Sequence, residues 1–401
     1  MKFKNFSIFS IVCLLLALFS PCLISCNKNS DDEPPVSEED MRRVTLIYAV
    51  NNSSLRYDFK SDSIEIEKAM RNIDLRYYQV LVYKTVDKNN TALYKIVDKG
   101  GSRPTFEEIK RYERLTTSTS PQQIRNVVKD ALSFYPGATY DLIFWGHGTA
   151  WRPENSDYTI GGSGPERGYG GEYNGNTTSS GMPITSWTNL DDLADAIPDH
   201  VFDHIWFDCC YMSSIEVIYQ FRNKCNTFVG YPTEVMSEGM TYDEVLPYMV
   251  RETPDPTGAA NAFFNHFVST GQPATIAIIK MDKVEAMADA VKDVIKNCDV
   301  KPDSSDQINY SRLSGCKLVD LISYISDMAK LKNRTDLVDN LISAYNDMVI
   351  FSAATKTDFR NQYWDTSRIF GISTYYFIDY SNELTDYYKT LDWYKRVYLK
   401  D

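Results

Sequence analysis

The stretch HIWFDCCYMSSIEVIYQF (204–221) joins an apolar run typical of a buried strand to a segment with helical spacing. Strand-like and helix-like segments alternate in the same way from residue 43 to about residue 300. Such alternation predicts a sheet that is covered by helices. We therefore expect an α/β/α sandwich with a mostly parallel central sheet, in which functional groups lie at the carboxyl ends of strands.

The individual elements follow from hydrophobic periodicity and from capping signals. Strands are predicted at 43–50, 77–86, 140–145, 204–208, 227–231 and 274–281. Helices are predicted at 61–73, 120–135, 189–197, 214–224, 242–250, 257–270 and 283–297. The remainder, from about residue 317, is predicted to be helical with one strand, RIFGISTYYF (368–377).

The N-terminus has the pattern of an export signal. Two lysines precede an apolar run, and LISC ends at Cys26, which resembles a bacterial lipobox. We predict a signal peptide at 1–25, a lipid on Cys26 and an acidic, proline-containing tether at 26–42. The protein would then be anchored in the bacterial cell envelope, at the outer membrane or cell surface. An ordinary signal peptide or a single membrane anchor remains an alternative.

Charge and cysteine content narrow the function classes. The chain of 401 residues carries a formal net charge of −12, which argues against a nucleic-acid binder. Beyond Cys26, the predicted lipidation site, the mature part holds five cysteines: Cys209, Cys210, Cys225, Cys298 and Cys316. An odd number leaves at least one thiol unpaired, and these cysteines do not have zinc-site spacing. His200 and His204 lie beside two aspartates, but residues four apart on a strand are distant, which favours a structural role over a metal site.

Period-two alternation separates the two adjacent cysteines. Asp208 and Cys210 share one face of the strand, and Cys209 points to the other. Ser213 and Glu216 form an S-x-x-E capping box, which predicts a helix N-terminus just after Cys210 and a lowered pKa for its thiol. Cys210 is therefore the predicted nucleophile, whereas Cys209 fits a buried, inert thiol.

His147 is the predicted partner of that thiol. It follows the strand YDLIFW (140–145), and glycines on both sides allow close approach of a ligand. A thiolate with a histidine acid–base is the standard arrangement for attack on a carbonyl. The backbone N–H groups of Gly148 and Cys210 are the predicted oxyanion donors.

DLIFWGHGTAW (141–151) and FDHIWFDCCYMSSIEVIYQF (202–221) together resemble the His-Gly and Asp-Ala-Cys boxes of the clostripain family of cysteine peptidases. The family alanine is Cys209 here. The resemblance, over about 43–401, implies a caspase-like fold, with a catalytic domain at 43–300 and a mainly helical part at 301–401 packed on it.

The resemblance also implies a substrate. Family members cleave polypeptides after Arg, less often Lys, which implies an acidic pocket with Asp208 as its first acid. We choose Glu238 as the second acid over Glu234 and Asp243. A strand-capping role for Asp208 is the alternative. A calcium dependence is implied, but no EF-hand spacing locates its site. We expect a monomer.

The segment between the two boxes reads as a flexible, exposed loop, with eight glycines from Gly161 to Gly181. Family members are often activated by a cut there. Arg152 and Arg167 are its only basic residues, and Pro153 follows Arg152, so we predict self-cleavage after Arg167. The alternative is a surface insertion that is never cut. Two alternative hypotheses for the whole chain are a catalytically inactive surface binding protein and a peptidase of the same fold with Asp or Asn specificity.

Overall fold

The computed structural model describes residues 40–87, 90–113, 117–153, 159–160, 163–165, 168–177, 179, 181, 183–313, 315–379 and 382–399. The predicted signal peptide, Cys26 and Arg167 lie outside these ranges. Within them, every helix is too short or too polar to cross a membrane.

The described strands are β1 Arg43–Ala49, β2 Tyr78–Asp87, β3 Asn90–Val97, β4 Thr105–Tyr112, β5 Thr139–Trp145, β6 His147–Gly148, β7 Thr159–Ile160, β8 Ser163–Pro165, β9 Tyr169–Thr177, β10 Pro183–Thr188, β11 Phe202–Asp208, β12 Cys225–Gly230, β13 Thr275–Lys280, β14 Leu318–Asp320, β15 Val349–Ala354 and β16 Ser373–Tyr375. The described α-helices are α1 Arg56–Ala69, α2 Pro121–Phe134, α3 Leu190–Asp195, α4 Ile215–Gln220, α5 Tyr242–Met249, α6 Pro256–Thr270, α7 Val284–Asn297, α8 Leu321–Leu331, α9 Thr335–Met348, α10 Glu383–Tyr388 and α11 Asp392–Tyr398.

Nine of the described strands form one sheet in the order β15-β13-β12-β11-β5-β1-β2-β3-β4. The five central strands, from β12 to β2, are parallel, and an antiparallel pair extends the sheet at each end. Strand β1 is buried along its whole length because helices cover both faces, which explains its apolar run at 46–49. The predicted α/β/α architecture is confirmed.

Two apolar cores lie on the two faces of the sheet. Alternate residues of β11 enter opposite cores, with Ile205 and Phe207 in one and Trp206 in the other. Helices α2, α4, α7 and α8 contribute to the first core, and α1, α5 and α6 to the second. Both helical layers therefore bury the face that their 3.6-residue periodicity predicts.

Three strands of the large sheet were not expected from the sequence. The hairpin of β3 and β4 lies at an edge, where half of the side chains of β4 are exposed and polar, so its apolar signal is weak. Strand β15 directly follows α9 and is only partly buried.

The strand predicted at 368–377 is shorter in the structure. Only Ser373–Tyr375 forms a strand, which pairs with β14 outside the large sheet.

Candidate active site

The two candidate catalytic side chains follow neighbouring parallel strands. Trp145 at the end of β5 lies opposite Asp208 at the end of β11, and the N–H of Gly146 donates to the Asp208 carbonyl at 3.5 Å. His147 and Cys210 each come two residues after that pair. Carboxyl ends of parallel strands meet at one edge of the sheet, so the fold brings these two residues together.

Gly148 packs directly on the backbone of the two cysteines. A Cβ at this position would lie 2.5 Å from the Cys210 carbonyl oxygen and 2.9 Å from the Cys209 Cβ. Real Cβ atoms do not approach this closely, so only glycine fits. The main chain that carries His147 is thereby held against the main chain that carries Cys210.

The adjacent cysteines occupy different environments. The Cys209 side chain is fully buried, its thiol donates to the Phe144 carbonyl at 3.3 Å, and burial raises its pKa well above the ordinary thiol value. Cys210 is partly exposed, and its Sγ accepts from the Val235 N–H at 3.4 Å. Of the two residues, only Cys210 is partly exposed to solvent.

The predicted capping box was wrong. Helix α4 begins at Ile215, and its N-cap is Ser214, whose hydroxyl accepts from the Val217 N–H. Ser213 instead donates to the Gly371 carbonyl at 3.0 Å. The buried Glu216 accepts from Thr374, Tyr375 and Tyr388 rather than closing a box. The long-range partners outcompete the local pattern, and the helix begins five residues after Cys210 rather than directly behind it.

A tight turn fixes the path of the main chain directly after Cys210. Tyr211 has φ +64°, a left-handed conformation that costs a non-glycine residue about 1 to 2 kcal/mol. The surrounding fold maintains it: the Tyr211 N–H donates to the Thr233 carbonyl at 2.8 Å, and its hydroxyl accepts from the Arg312 N–H at 3.3 Å.

The imidazole of His147 is held from two sides. Its Nε2 lies 2.9 Å from the hydroxyl of Ser54, which belongs to the loop between β1 and α1. Trp187 of β10 lies beside the ring, with centroids 6.0 Å apart. Burial lowers the pKa of His147 to about 4, so the ring is neutral at pH 7 and can accept a proton. Ser54 was not predicted; its position after the carboxyl end of β1, at the same sheet edge, was the available signal.

Asp208 is enclosed by the segment that follows β12. Both carboxylate oxygens accept from the Met240 N–H, at 3.0 and 3.1 Å, and Oδ2 accepts from the Tyr242 hydroxyl at 3.2 Å. The residue is 3% exposed, and burial raises its pKa to about 7 against the opposing effect of these hydrogen bonds. An arginine side chain can reach this carboxylate only if the Met240 segment moves.

A second buried acid, Asp62 of α1, lies close to Asp208 and was not predicted. Its Oδ2 accepts from the Trp145 indole N–H at 2.8 Å. Burial, followed by the charge of Asp208, raises the pKa of Asp62 to about 9. An aspartate at a buried position of an amphipathic helix was the available signal. Nearby, Glu65 accepts from the Tyr242 N–H, so this side of the site is strongly acidic.

The three candidates for the second pocket acid differ in their partners. Glu234 pairs with Arg312, with its oxygens 2.7 and 2.8 Å from guanidinium nitrogens. Asp243 lies 3.5 Å from Lys68. Glu238 is half exposed, its described ionic partner is His266 at 3.8 Å, and it precedes the chain that encloses Asp208. Its role in substrate binding stays a prediction.

The described residues between the two boxes form more regular structure than expected. Strand β9 pairs with both β6 and β10, so Gly170 lies opposite His147 in a small sheet. Positive φ angles at several glycines allow this close path. Arg152 is fully buried, which makes it inaccessible to a peptidase.

The described residues offer one cluster with metal-like spacing, Asp141, Asp203 and His204. The Arg43 guanidinium already fills it, donating to Asp141 at 2.8 and 2.9 Å and to Asp203 at 2.9 Å. His204 Nδ1 lies 2.8 Å from Asp141. A bound cation would meet this positive charge, and calcium prefers oxygen ligands, so the residues do not fit the calcium ion that the resemblance implies.

Comparison with known proteins identifies the family. The model of the clostripain family matches residues 47–400, and a search of the curated proteins gave no match. A secreted C11 cysteine protease from Bacteroides thetaiotaomicron, solved with an irreversible peptide inhibitor, is 24% identical with a TM-score of 0.73, over 89% of this chain and 99% of that chain. An inactive zymogen C11 protease from Parabacteroides distasonis is 22% identical with a TM-score of 0.74, over 92% of this chain and 100% of that one. The chain is therefore a cysteine peptidase of the clostripain family, with the caspase-like fold and with polypeptides as substrates.

Proposed function

We propose that this chain is an exported, lipid-anchored endopeptidase that cleaves after Arg, less often Lys, with Cys210 as nucleophile and His147 as acid–base. The observation that carries the proposal is the position of the partly exposed Cys210 and the neutral imidazole of His147, each two residues beyond a paired position at the ends of adjacent strands. Export is supported by the LISC sequence at Cys26 and by the description of one structural neighbour as secreted.

The residues account for both halves of peptide hydrolysis. His147 takes the proton of Cys210, whose sulfur attacks the carbonyl carbon, and it then donates that proton to the departing amine. A water molecule next attacks the thioester, and His147 again accepts and returns a proton. The N–H groups of Gly148 and Cys210 would stabilise the oxyanion formed in each step.

The arginine preference is supported by the acidity around the site. Asp208 is a buried acid and Glu238 a half-exposed one, whereas the neighbouring Asp62 holds its proton at neutral pH. A desolvated guanidinium requires carboxylate partners, so a basic side chain is the substrate group that these acids would favour. Binding would replace the Met240 N–H with the guanidinium at Asp208.

We further propose activation by a cut after Arg167. The burial of Arg152 leaves Arg167 as the candidate between the two boxes, and a structural neighbour is described as an inactive zymogen. The fragments should stay together because β5 and β11 pair in one sheet from opposite sides of the cut. Mass spectrometry should find a new N-terminus at Gly168 in the wild type and an intact chain in Cys210→Ala. A cut in both proteins would assign it to another protease.

The catalytic assignment is tested with a fluorogenic peptide that ends in arginine. Cys210→Ala should abolish hydrolysis, and His147→Ala should lower it by several orders of magnitude. Cys209→Ala is the matched control, because it removes the neighbouring thiol from the buried core, and it should retain most of the activity. Activity in Cys210→Ala together with loss in Cys209→Ala would refute the assignment. No labelling of the wild type by an arginine-directed thiol reagent would instead favour an inactive binding protein.

A further inference from the structure

A cavity opens beside the proposed catalytic residues, at the carboxyl ends of β1 and β2. It measures about 590 Å³ and lies between these strands and α1. Asn51 and Asn52, which follow β1, form part of its wall, and Ser54 of the same loop contacts His147. The cavity therefore adjoins the proposed site through one short loop.

Three cationic side chains line this cavity. Arg56 and Lys60 lie one turn apart on α1, and Lys84 extends from β2. Within the described part of the chain, no carboxylate comes within 4.0 Å of any of the three. Such an arrangement is unusual in a chain whose formal net charge is −12. It marks the cavity as a place where a negative group would be attracted.

Lys84 and Arg56 contact hydroxyl groups and aromatic rings, which do not neutralise their charge. Lys84 Nζ lies 3.4 Å from the Ser63 hydroxyl and 3.4 Å from the centre of the Phe106 ring. Burial lowers the pKa of Lys84 to about 8, although the charge of Glu67 opposes this effect. Arg56 stacks on the Tyr57 ring and donates to its hydroxyl. A carboxylate in the cavity would supply the missing counter-charge.

Strand order places the cavity on the leaving-group side of the proposed site. Along the sheet edge, the strands run β11, β5, β1 and β2, so Cys210 comes first, His147 second and the cavity third. In the proposed mechanism, sulfur retains the acyl half of the substrate while His147 protonates the departing amine. The departing half of the peptide consequently leads past His147 toward the cavity.

We propose that this cavity is a subsite for an acidic residue that follows the cleaved bond, with its carboxylate bound between Arg56, Lys60 and Lys84. The inference rests on the proposed function and extends it to the other half of the substrate. Acidic groups gather on the Asp208 side of the site and cationic groups on the far side of His147. A peptide with a basic residue before the bond and an acidic residue after it matches both sides.

The test uses internally quenched peptides that share arginine before the bond and differ at one of the three positions after it. Glutamate should raise kcat/KM over glutamine about fivefold to tenfold at its preferred position, since a charge-assisted hydrogen bond in a partly exposed site is worth this much. Lysine there should lower kcat/KM, and the preference should fall as salt rises. Two further peptides end at this position, one with a free C-terminal carboxylate and one with an amide, and their comparison separates recognition of the main chain from recognition of the side chain. A preference for the free C-terminal carboxylate without a preference for glutamate would refute the side-chain subsite.

Arg56→Gln and Lys60→Gln are suitable variants because both side chains are exposed, so folding should not depend on them. The double variant should reduce the glutamate-to-glutamine ratio to near one. Lys129→Gln, an equal charge change on α2 across the sheet, should keep the wild-type ratio. A ratio near one in the wild type, or a ratio that survives in the double variant, would overturn the inference while cleavage after arginine stands. Failure to cleave any arginine peptide would overturn the proposed function as well.

Discussion

Replacing Asp62 with asparagine should stabilise the protein, and by more as the pH rises. The carboxyl group is 2% exposed, and the hydrogen bond from Trp145 is one that an asparagine oxygen can accept equally well. Burial and the nearby Asp208 raise the pKa of Asp62 from 3.8 to about 9. Asparagine mimics the protonated acid that the folded protein holds at neutral pH.

The sign follows from proton binding in the two states. Between pH 4 and 9 the folded chain retains a proton on Asp62 that the unfolded chain releases, so the wild type loses stability as the pH rises. Each pH unit in this window costs about 1.4 kcal/mol. At pH 7 the penalty reaches about 4 kcal/mol, a large part of the 5 to 15 kcal/mol that stabilises a typical domain.

Urea unfolding at pH 5, 6, 7 and 8 measures this difference. The variant should exceed the wild type by about 2 kcal/mol at pH 5 and by up to about 4 kcal/mol at pH 7. Asp282→Asn removes a carboxylate whose side chain is 69% exposed, and it should keep the wild-type slope. A variant that is less stable than the wild type at pH 8 would show that Asp62 is ionised and compensated in the fold, and would refute the reasoning.

Three further changes probe the site. Ser54→Ala should lower kcat about tenfold and alter the pH profile of kcat, because His147 loses the hydroxyl that orients it, and Ser54→Thr should restore both. An unchanged kcat in Ser54→Ala would show that Ser54 does not belong to the site. For the wild-type protein, KM for arginine peptides should fall as the pH rises through about 7, because Asp208 becomes ionised. Asp208→Asn should abolish this pH dependence and lower kcat/KM more than a hundredfold, whereas a retained arginine preference would exclude Asp208 from the pocket. Gly171→Ala would place a Cβ 3.0 Å from His147 Cδ2, so it should reduce kcat far more than Gly175→Ala, because Gly175 has a similar positive φ but open space around it. Equal effects of the two variants would show that backbone strain alone lowers kcat.

Much of the fold and part of the candidate site could be predicted from local sequence patterns. Each central strand carries its own continuous apolar run, and each amphipathic helix carries its own periodicity, so their order and layers were predictable. Period-two alternation likewise placed the Cys209 side chain in a core. It does not extend to Cys210, because β11 ends at Asp208 and Cys210 lies in a turn, packed against the same core as Cys209. These features depend on neighbouring residues alone.

Features that join distant segments were decided only by the tertiary structure. Ser54 and His147 are 93 positions apart, and Asp62 and Trp145 are 83 apart, so no local pattern indicates either contact. The capping box at Ser213 failed for the same reason, because partners about 160 positions away took both of its side chains. The enclosure of Asp208 and the cationic cavity also require several elements to pack first. The sequence determines which chemical groups the chain carries. Desolvation and neighbouring charges arise only after distant elements have packed together, and they set the pKa values and the solvent accessibility on which the chemistry depends.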